Sequence, residues 1–248
     1  MYSKSTMSRI TDITVPEIHK WTSRPLEKRY NAIFMDAMFF SLRRETVHKE
    51  CVIFVIGIRE TGQYGILGFY VNHVENHIAY QCTYGPHERG VEEPLLFIAD
   101  GLPGIEEEVK QLYPRADFQL RTVHASRNSE SLVRVQDSNE IYSDLKGIFL
   151  TRIREKALHQ FNGFKKKWSS RYPRSVSNME KNLCILLKYY DYPESMRKSI
   201  HNNNPIERMN KNIRCRIKII DSLPSEESAM KIIYLRAVGI NEAWSQRP

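Results

Sequence analysis

The chain has 248 residues, of which 41% are hydrophobic and 27% charged, the composition of a globular protein large enough to bury a full core. No apolar run approaches the roughly 20 residues of a membrane-spanning helix, so we predict a soluble protein. The formal net charge of +8 leaves two interpretations open, a nucleic-acid partner or a basic surface without a specific role.

Two further features concern the cellular compartment. The four cysteines lie far apart and form no Cys-x-x-Cys pair, so the sequence indicates neither a zinc knuckle nor a disulfide framework. Residues 1–7 lack the apolar segment of a secretory signal. We therefore expect a reducing, cytoplasmic environment.

The first predicted elements are a short lead-in and a group of strands. Residues 1–24 are polar with weak helical periodicity. Strand patterns follow over residues 31–41, 51–57 and 65–71. The connections between these strands are short, so the sequence predicts an antiparallel meander.

A helical pattern comes next, over residues 72–89, although the break at Gly85-Pro86 disfavours helix in its second half. The apolar run at 95–100 predicts a further strand.

The segment after residue 100 predicts a helix and another strand. Pro103 suits the first turn of a helix, and the carboxylates of Glu106–Glu108 favour its N-terminal end, whereas Pro114 should stop it. Residues 116–123 have the pattern of a strand. A meander followed by strand, helix and strand predicts a mixed α/β sheet with helices.

The rest of the chain has a helical pattern. After His124 the strand patterns cease, and Pro173 and Pro193 are expected to separate successive helices. Two more helices are predicted, one from about Pro205 and one over 225–243. Because the aromatic residues follow the helical spacing, we interpret them as helix-packing core rather than as a platform that stacks on bases.

Two carboxylates stand in otherwise apolar strands. Asp36 lies within the run 33–40, and Asp100 ends the run 95–99. Burying an ionised carboxylate costs several kcal/mol unless a cation or hydrogen bonds meet it. A single Asp of this kind usually bonds backbone amides or an Arg. The repetition of the pattern instead favours a shared site for a hard cation, which takes oxygen ligands.

A third carboxylate follows a proline near the C-terminus. Glu207 is expected in the first turn of the helix that begins near Pro205, with Asn210, Lys211 and Arg214 continuing along the same face. On its own, such a Glu is usually a partner of the helix dipole. Together with two strand carboxylates, it can hold two metal ions for in-line phosphoryl displacement, and the basic groups suit a phosphate backbone.

At these residues the sequence resembles the Mutator-type bacterial insertion-sequence transposases, a family of ribonuclease H-like enzymes with an Asp, Asp, Glu triad. The similarity runs through the whole chain in order. The matching stretches are Trp21 to Glu27, Met35-Asp36-Ala37, Leu67 to Tyr70, Asp100 to Gly104, Gln119 to Asn128, Asp144-Leu145-Lys146, Phe164 to Trp168, Tyr172-Pro173, Asp191 to Glu194, and Asn204 to Asn210.

The resemblance implies a domain organisation. Residues 1–24 would be the remnant of a helical N-terminal region, and residues 25–124 the first part of a ribonuclease H-like catalytic core. Residues 125–200 would form an all-helical insertion. Residues 201–248 would complete the core with the helix that bears the Glu and a final helix.

The resemblance also implies a reaction and its residues. Water would cleave a DNA strand and a 3′-hydroxyl would then join it to a target, without a covalent protein intermediate. The ligands of two Mg²⁺ or Mn²⁺ ions would be Asp36, Asp100 and Glu207. His124 and Arg127 would lie near the site, although His124 is otherwise best explained as a helix-start histidine bonded to backbone.

The implied partners are the insertion-sequence ends and the target DNA, with no membrane. Because two ends must be joined, the family implies a dimer or a larger homo-oligomer. The implied location is the bacterial cytoplasm, on the nucleoid.

Several motifs depart from the family pattern. Arg121 stands where the family has Cys, residues 201–204 replace Tyr-Thr-Thr-Asn, and Glu75-Asn76 with Tyr80 replaces Glu-Ser with Trp. An Arg within a strand introduces a charge that must be paired or exposed. The helical DNA-binding domains expected ahead of the core are not recognisable, so the chain is expected to be truncated.

Two hypotheses follow. The first is a metal-dependent transposase that cleaves and transfers DNA strands. The second is a catalytically silent remnant that binds DNA non-specifically or associates with a full-length transposase.

Overall fold

The computed structural model describes residues 15–43, 47–72, 75–101, 104–201, 204–218 and 226–246. Several features predicted from sequence lie outside these ranges. They are most of the N-terminal lead-in, Pro103, the pair Asn202-Asn203 and the approach to the last helix. The side chains of Glu75 and Asn76 lie outside the described part as well.

The strands, in chain order, form two sheets. Their bounds are β1 Arg29–Tyr30, β2 Ala32–Arg43, β3 Val47–Ile58, β4 Tyr64–Asn72, β5 Glu93–Pro94, β6 Leu96–Ala99 and β7 Asp117–Leu120. The short strands β1 and β5 pair in parallel. The larger sheet has the order β4-β3-β2-β6-β7.

The predicted antiparallel meander is confirmed. β2 pairs with β3 so that Asp36 lies opposite Phe54, and β3 pairs with β4 so that Phe54 lies opposite Phe69. Within this sheet the first strand in sequence, β2, lies at the centre. The predicted fold class, a mixed α/β sheet with helices, is therefore confirmed.

The helices have the following bounds: α1 15–22, α2 Glu75–Glu88, α3 Ile105–Leu112, α4 Thr122–Glu130, α5 Val135–Leu150, α6 Arg154–Trp168, α7 Pro173–Leu186, α8 Glu194–His201, α9 Asn204–Lys218 and α10 Glu226–Ser245. A 3₁₀ helix covers Lys188–Asp191. Between β7 and α9, the described residues form helices and connections only. None of the described helices is long and apolar enough to cross a membrane.

The helix predicted over 72–89 is confirmed as α2, which continues through the Gly85-Pro86 pair to Glu88. Gly85 lies so close to the Tyr70 ring that a Cβ atom would overlap it. The strand predicted over 116–123 ends at Leu120, because the chain turns into α4 at Thr122. The alternation of apolar and polar residues continues through this turn, so the sequence pattern did not indicate where the strand ends.

The chain divides into two compact units. Unit 1 comprises Met1–Phe97, Pro103–Ala116 and Asn202–Pro248. In it, α2 and α10 contact β4, and α9 contacts β2. β2 and β3 are buried along most of their described length, as is typical of strands covered on both faces. The fully buried side chains of these strands include Ile33, Phe34, Met35, Val52, Ile53 and Phe54.

Unit 2 comprises Ile98–Leu102 and Asp117–His201. In it, α5 packs on α4 and α6, and α7 contacts α4 and β7. Four of the aromatic residues expected in the helix-packing core, Phe149, Phe161, Phe164 and Trp168, are buried there, whereas Tyr190 is half-buried. The core side chains include Ile141, Leu145, Ile148, Phe161, Phe164, Trp168, Met179 and Leu186.

Candidate metal centre

Asp36 lies inside the central strand β2 of unit 1 and is only 3% exposed. Its neighbours on the strand are apolar, so the strand itself offers the carboxylate little solvation. The Asn210 side-chain amide donates a hydrogen bond to Asp36 Oδ2 from α9. This contact joins α9 to β2 through the carboxylate of the first predicted ligand.

The other predicted residues of α9 face solvent. Glu207 lies in the first turn of the helix and is exposed, as are Lys211 and Arg214. The helix therefore brings Asn210 against β2, while Glu207 and the two cations are accessible to solvent. A carboxylate in the first turn also interacts favourably with the helix dipole, so both interpretations of Glu207 remain open.

Asp100 follows β6 in unit 2 and is 8% exposed. Its Oδ1 atom lies 3.5 Å from Arg121 Nη1 and 3.3 Å from His124 Nε2. Within the described part of the chain, this buried oxygen accepts no hydrogen bond. Buried carboxylate oxygens are normally paired, and an oxygen left over beside a histidine nitrogen suits a divalent cation. The donor set around Asp100 therefore fits a metal ion.

The ionisation of this group follows from its burial. Desolvation raises the pKa of Asp100 to about 7, and the charge of Arg127 opposes the shift. Desolvation, with the charges of Arg121 and Arg127, lowers the pKa of His124 to about 4. At neutral pH the imidazole is therefore neutral and keeps a lone pair for a ligand, and a bound cation would favour the ionised form of Asp100.

Local structure at the start of α4 holds these groups in place. The Arg121 amide donates to the carbonyl of Ala99, and the Arg121 carbonyl accepts from the amide of Ala125. Arg121 thus ties the end of β6 to the first turn of α4. Because His124 and Arg127 are three residues apart in α4, they share one side of the helix.

The structure thus brings some of the predicted site residues into contact and leaves others exposed. It brings Asp36 together with Asn210, and Asp100 together with His124, and it leaves Glu207 exposed. Sequence reasoning missed the ion pair of Arg121 with Asp100. The available signal was a charged residue in an apolar stretch that needed a partner.

The fold is a mixed α/β sheet with helices, and one strand carries a buried carboxylate while another directly precedes one. The model of the family "Transposase, Mutator family" matches residues 1–247. The chain belongs to this family.

Relatives of known name agree with this assignment. The transposase of the insertion sequence IS905 of Lactococcus lactis is 31% identical over 99% of this chain, and that of IS1201 of Lactobacillus helveticus is 30% identical over 96%. The transposase of IS256 in transposon Tn4001 of Staphylococcus aureus is 26% identical over 98%. This chain spans only 63 to 64% of the length of these relatives.

A solved structure, the Drosophila P element transposase strand transfer complex, has a TM-score of 0.36 and 9% identity to this chain. The comparison covers 100% of this chain and 74% of that one.

Proposed function

We propose that this chain performs metal-dependent phosphoryl transfer on DNA, cleaving strands at insertion-sequence ends and joining them to target DNA. Membership of the Mutator transposase family supports this reaction class. The observation that carries the proposal is the buried Oδ1 of Asp100, which accepts no hydrogen bond from the described residues. Buried carboxylate oxygens are normally hydrogen-bonded, so an oxygen that has ion-pair neighbours but accepts no hydrogen bond suits a bound cation.

The proposed ligands are Asp36, Asp100 and Glu207, as the family pattern implies. Asp36 lies in β2, and Asp100 directly follows β6. Asp36, Asp100 and His124 each offer an atom of the type that metal ions bind. We assign Glu207 as the third carboxylate because it lies one helical turn before Asn210, whose side chain bonds Asp36.

The residues of the chain would have the following roles in the reaction. Asp36, Asp100 and Glu207 would hold two divalent ions, Mg²⁺ or Mn²⁺, which would supply the Lewis acidity for activating a hydroxyl nucleophile and stabilising the leaving oxygen. Asn210 orients the carboxylate of Asp36. The cations of Lys211, Arg214 and Arg127 neutralise phosphates and position the DNA backbone without reading its sequence.

The same proposal covers the organisation of the molecule. Residues 25–124 and 201–248 would form the catalytic core, residues 125–200 an insertion, and residues 1–24 part of a preceding helical region. The working form would be a dimer or larger, since two DNA ends must meet. We place its action on DNA in the bacterial cytoplasm.

The test is nicking of supercoiled plasmid by the purified chain with Mg²⁺ or Mn²⁺, read on agarose gels. We expect the wild type to nick and Asp100→Asn and Asp36→Asn to be inactive, because removal of a ligand charge lowers metal affinity and activity. Arg134→Gln, an exposed change at the start of α5, is the control and should nick like wild type. Equal nicking by wild type and Asp100→Asn would refute the proposal.

A second function, DNA binding without catalysis, is favoured by the ion pair of Arg121 with Asp100, which supplies a cation to the carboxylate without any metal. This alternative predicts salt-sensitive DNA retention and no cleavage with either metal. It would also leave the chain free to associate with a full-length transposase.

A further inference from the structure

The guanidinium of Arg121 occupies a position where it must interact with whatever Asp100 binds. Arg121 Nη1 lies 3.5 Å from Asp100 Oδ1, and the two side chains are 7% and 12% exposed. Solvent therefore screens this pair little, and charges in such a place act strongly on one another.

Arg121 has little freedom to move away from Asp100. Its amide bonds the carbonyl of Ala99, one residue before Asp100, and its carbonyl bonds the amide of Ala125. Both ends of the arginine backbone are thus held between β6 and α4. A shift of the guanidinium into solvent would have to break the packing of a side chain that is almost fully buried.

We propose that Arg121 is a positioning residue that competes with a divalent cation for the carboxylate of Asp100 and so weakens metal binding. A cation on Oδ1 would lie beside a fixed positive charge, and its binding would have to offset that repulsion or displace the guanidinium. The inference rests on the metal site proposed above. It concerns the affinity of that site for a divalent cation. It explains how a site with all of its ligands can still bind the cation weakly.

The competition gives a specific prediction for the charge at position 121. Arg121→Gln removes the cation and keeps a polar side chain, and Arg121→Cys introduces the residue of the family pattern. Both should bind Mn²⁺ about tenfold more tightly than wild type. Arg121→Lys keeps a charge and should stay within about twofold of wild type.

The measurement is the Mn²⁺ dissociation constant, from the loss of the free-ion electron paramagnetic resonance signal on titration. Arg134→Gln removes the same charge at an exposed site of unit 2 and serves as the matched control, expected within about twofold of wild type. The double variant Arg121→Gln with Asp100→Asn should lose the gain, since the effect acts through Asp100. Circular dichroism checks that each variant is folded.

The outcomes separate this inference from the proposed function. Mn²⁺ binding that is equal or weaker in folded Arg121→Gln and Arg121→Cys, with wild type still binding, overturns the competition and leaves the metal site standing. Equal tightening by Arg134→Gln overturns it too, since the effect would then be one of net charge. No Mn²⁺ binding by wild type or any variant overturns both proposals.

Discussion

Buried polar side chains hold several parts of this molecule together, and each does so through a named partner. In unit 2, Asp137 is 8% exposed, accepts a hydrogen bond from the Tyr172 hydroxyl and lies 3.0 Å from Arg171 Nη2. The bond joins the first turn of α5 to the residue before α7. Removing one partner of a buried charge leaves the other poorly solvated, which is where single substitutions cost most.

Tyr172→Phe should therefore destabilise the protein. The change keeps the ring beside Trp168 and removes only the hydroxyl, so the lost hydrogen bond to Asp137 should lower the free energy of unfolding by about 1 to 2 kcal/mol. Urea titration followed by circular dichroism measures the difference.

Tyr142→Phe is the matched control for that change. Its hydroxyl makes no hydrogen bond to another described residue of the chain. The free energy of unfolding should therefore change by less than about 0.5 kcal/mol. Similar losses in the two variants would contradict the role assigned to Asp137.

At the scale of elements, packing can override the intrinsic preference of a helix. Gly85 in α2 and Gly163 in α6 are both helical glycines, a residue that normally weakens a helix. A Cβ at Gly85 would overlap the phenol ring of Tyr70, whereas a Cβ at Gly163 would meet nothing within 4 Å. The same substitution should thus have opposite effects at the two positions.

Gly85→Ala should lower the free energy of unfolding by about 1 to 3 kcal/mol, because the methyl group forces Tyr70 or α2 to shift. Gly163→Ala should raise it by about 0.5 to 1 kcal/mol through the helix preference of Ala. Thermal melting by circular dichroism compares the two variants with wild type. A stabilised Gly85→Ala variant would show that α2 does not pack closely on Tyr70.

Some of these elements can be predicted from neighbouring residues in the sequence, and others cannot. The strands β2, β3 and β4 and the helices of unit 2 follow from hydrophobic period and from the prolines, because burial and backbone geometry act over a few residues. The end of β7 at Leu120 depends instead on the turn of the chain into α4, which the two-residue hydrophobic period did not mark. The bond from Asn210 to Asp36 spans 174 residues, and the sequence marked both residues without indicating that they touch.

At the scale of the whole molecule, not all of the 37 Lys and Arg side chains are available to a DNA partner, because some already pair with carboxylates. Lys167 lies 2.7 Å from both Glu140 and Asp144, and Lys165 bonds Glu180. The basic run at the end of α6 is therefore largely neutralised within unit 2. On α9, by contrast, no acidic side chain among the described residues pairs with Lys211 or Arg214.

Non-specific DNA binding should consequently depend on α9 far more than on α6. Each phosphate contact contributes about 0.9 to the slope of log affinity against log salt. Lys211→Ala should therefore reduce that slope by about one and weaken binding to any duplex sequence. Fluorescence anisotropy of a labelled duplex at several salt concentrations measures both quantities.

Lys167→Ala removes the same charge and the same side chain, so it controls for net charge. Since its ammonium already bonds two carboxylates, its loss should leave the salt slope within about 0.3 of wild type. An equal drop in slope for Lys167→Ala and Lys211→Ala would mean that DNA responds to total charge and not to the α9 surface. A drop confined to Lys211→Ala places the phosphate contacts on the helix that carries Glu207 and holds Asp36 through Asn210.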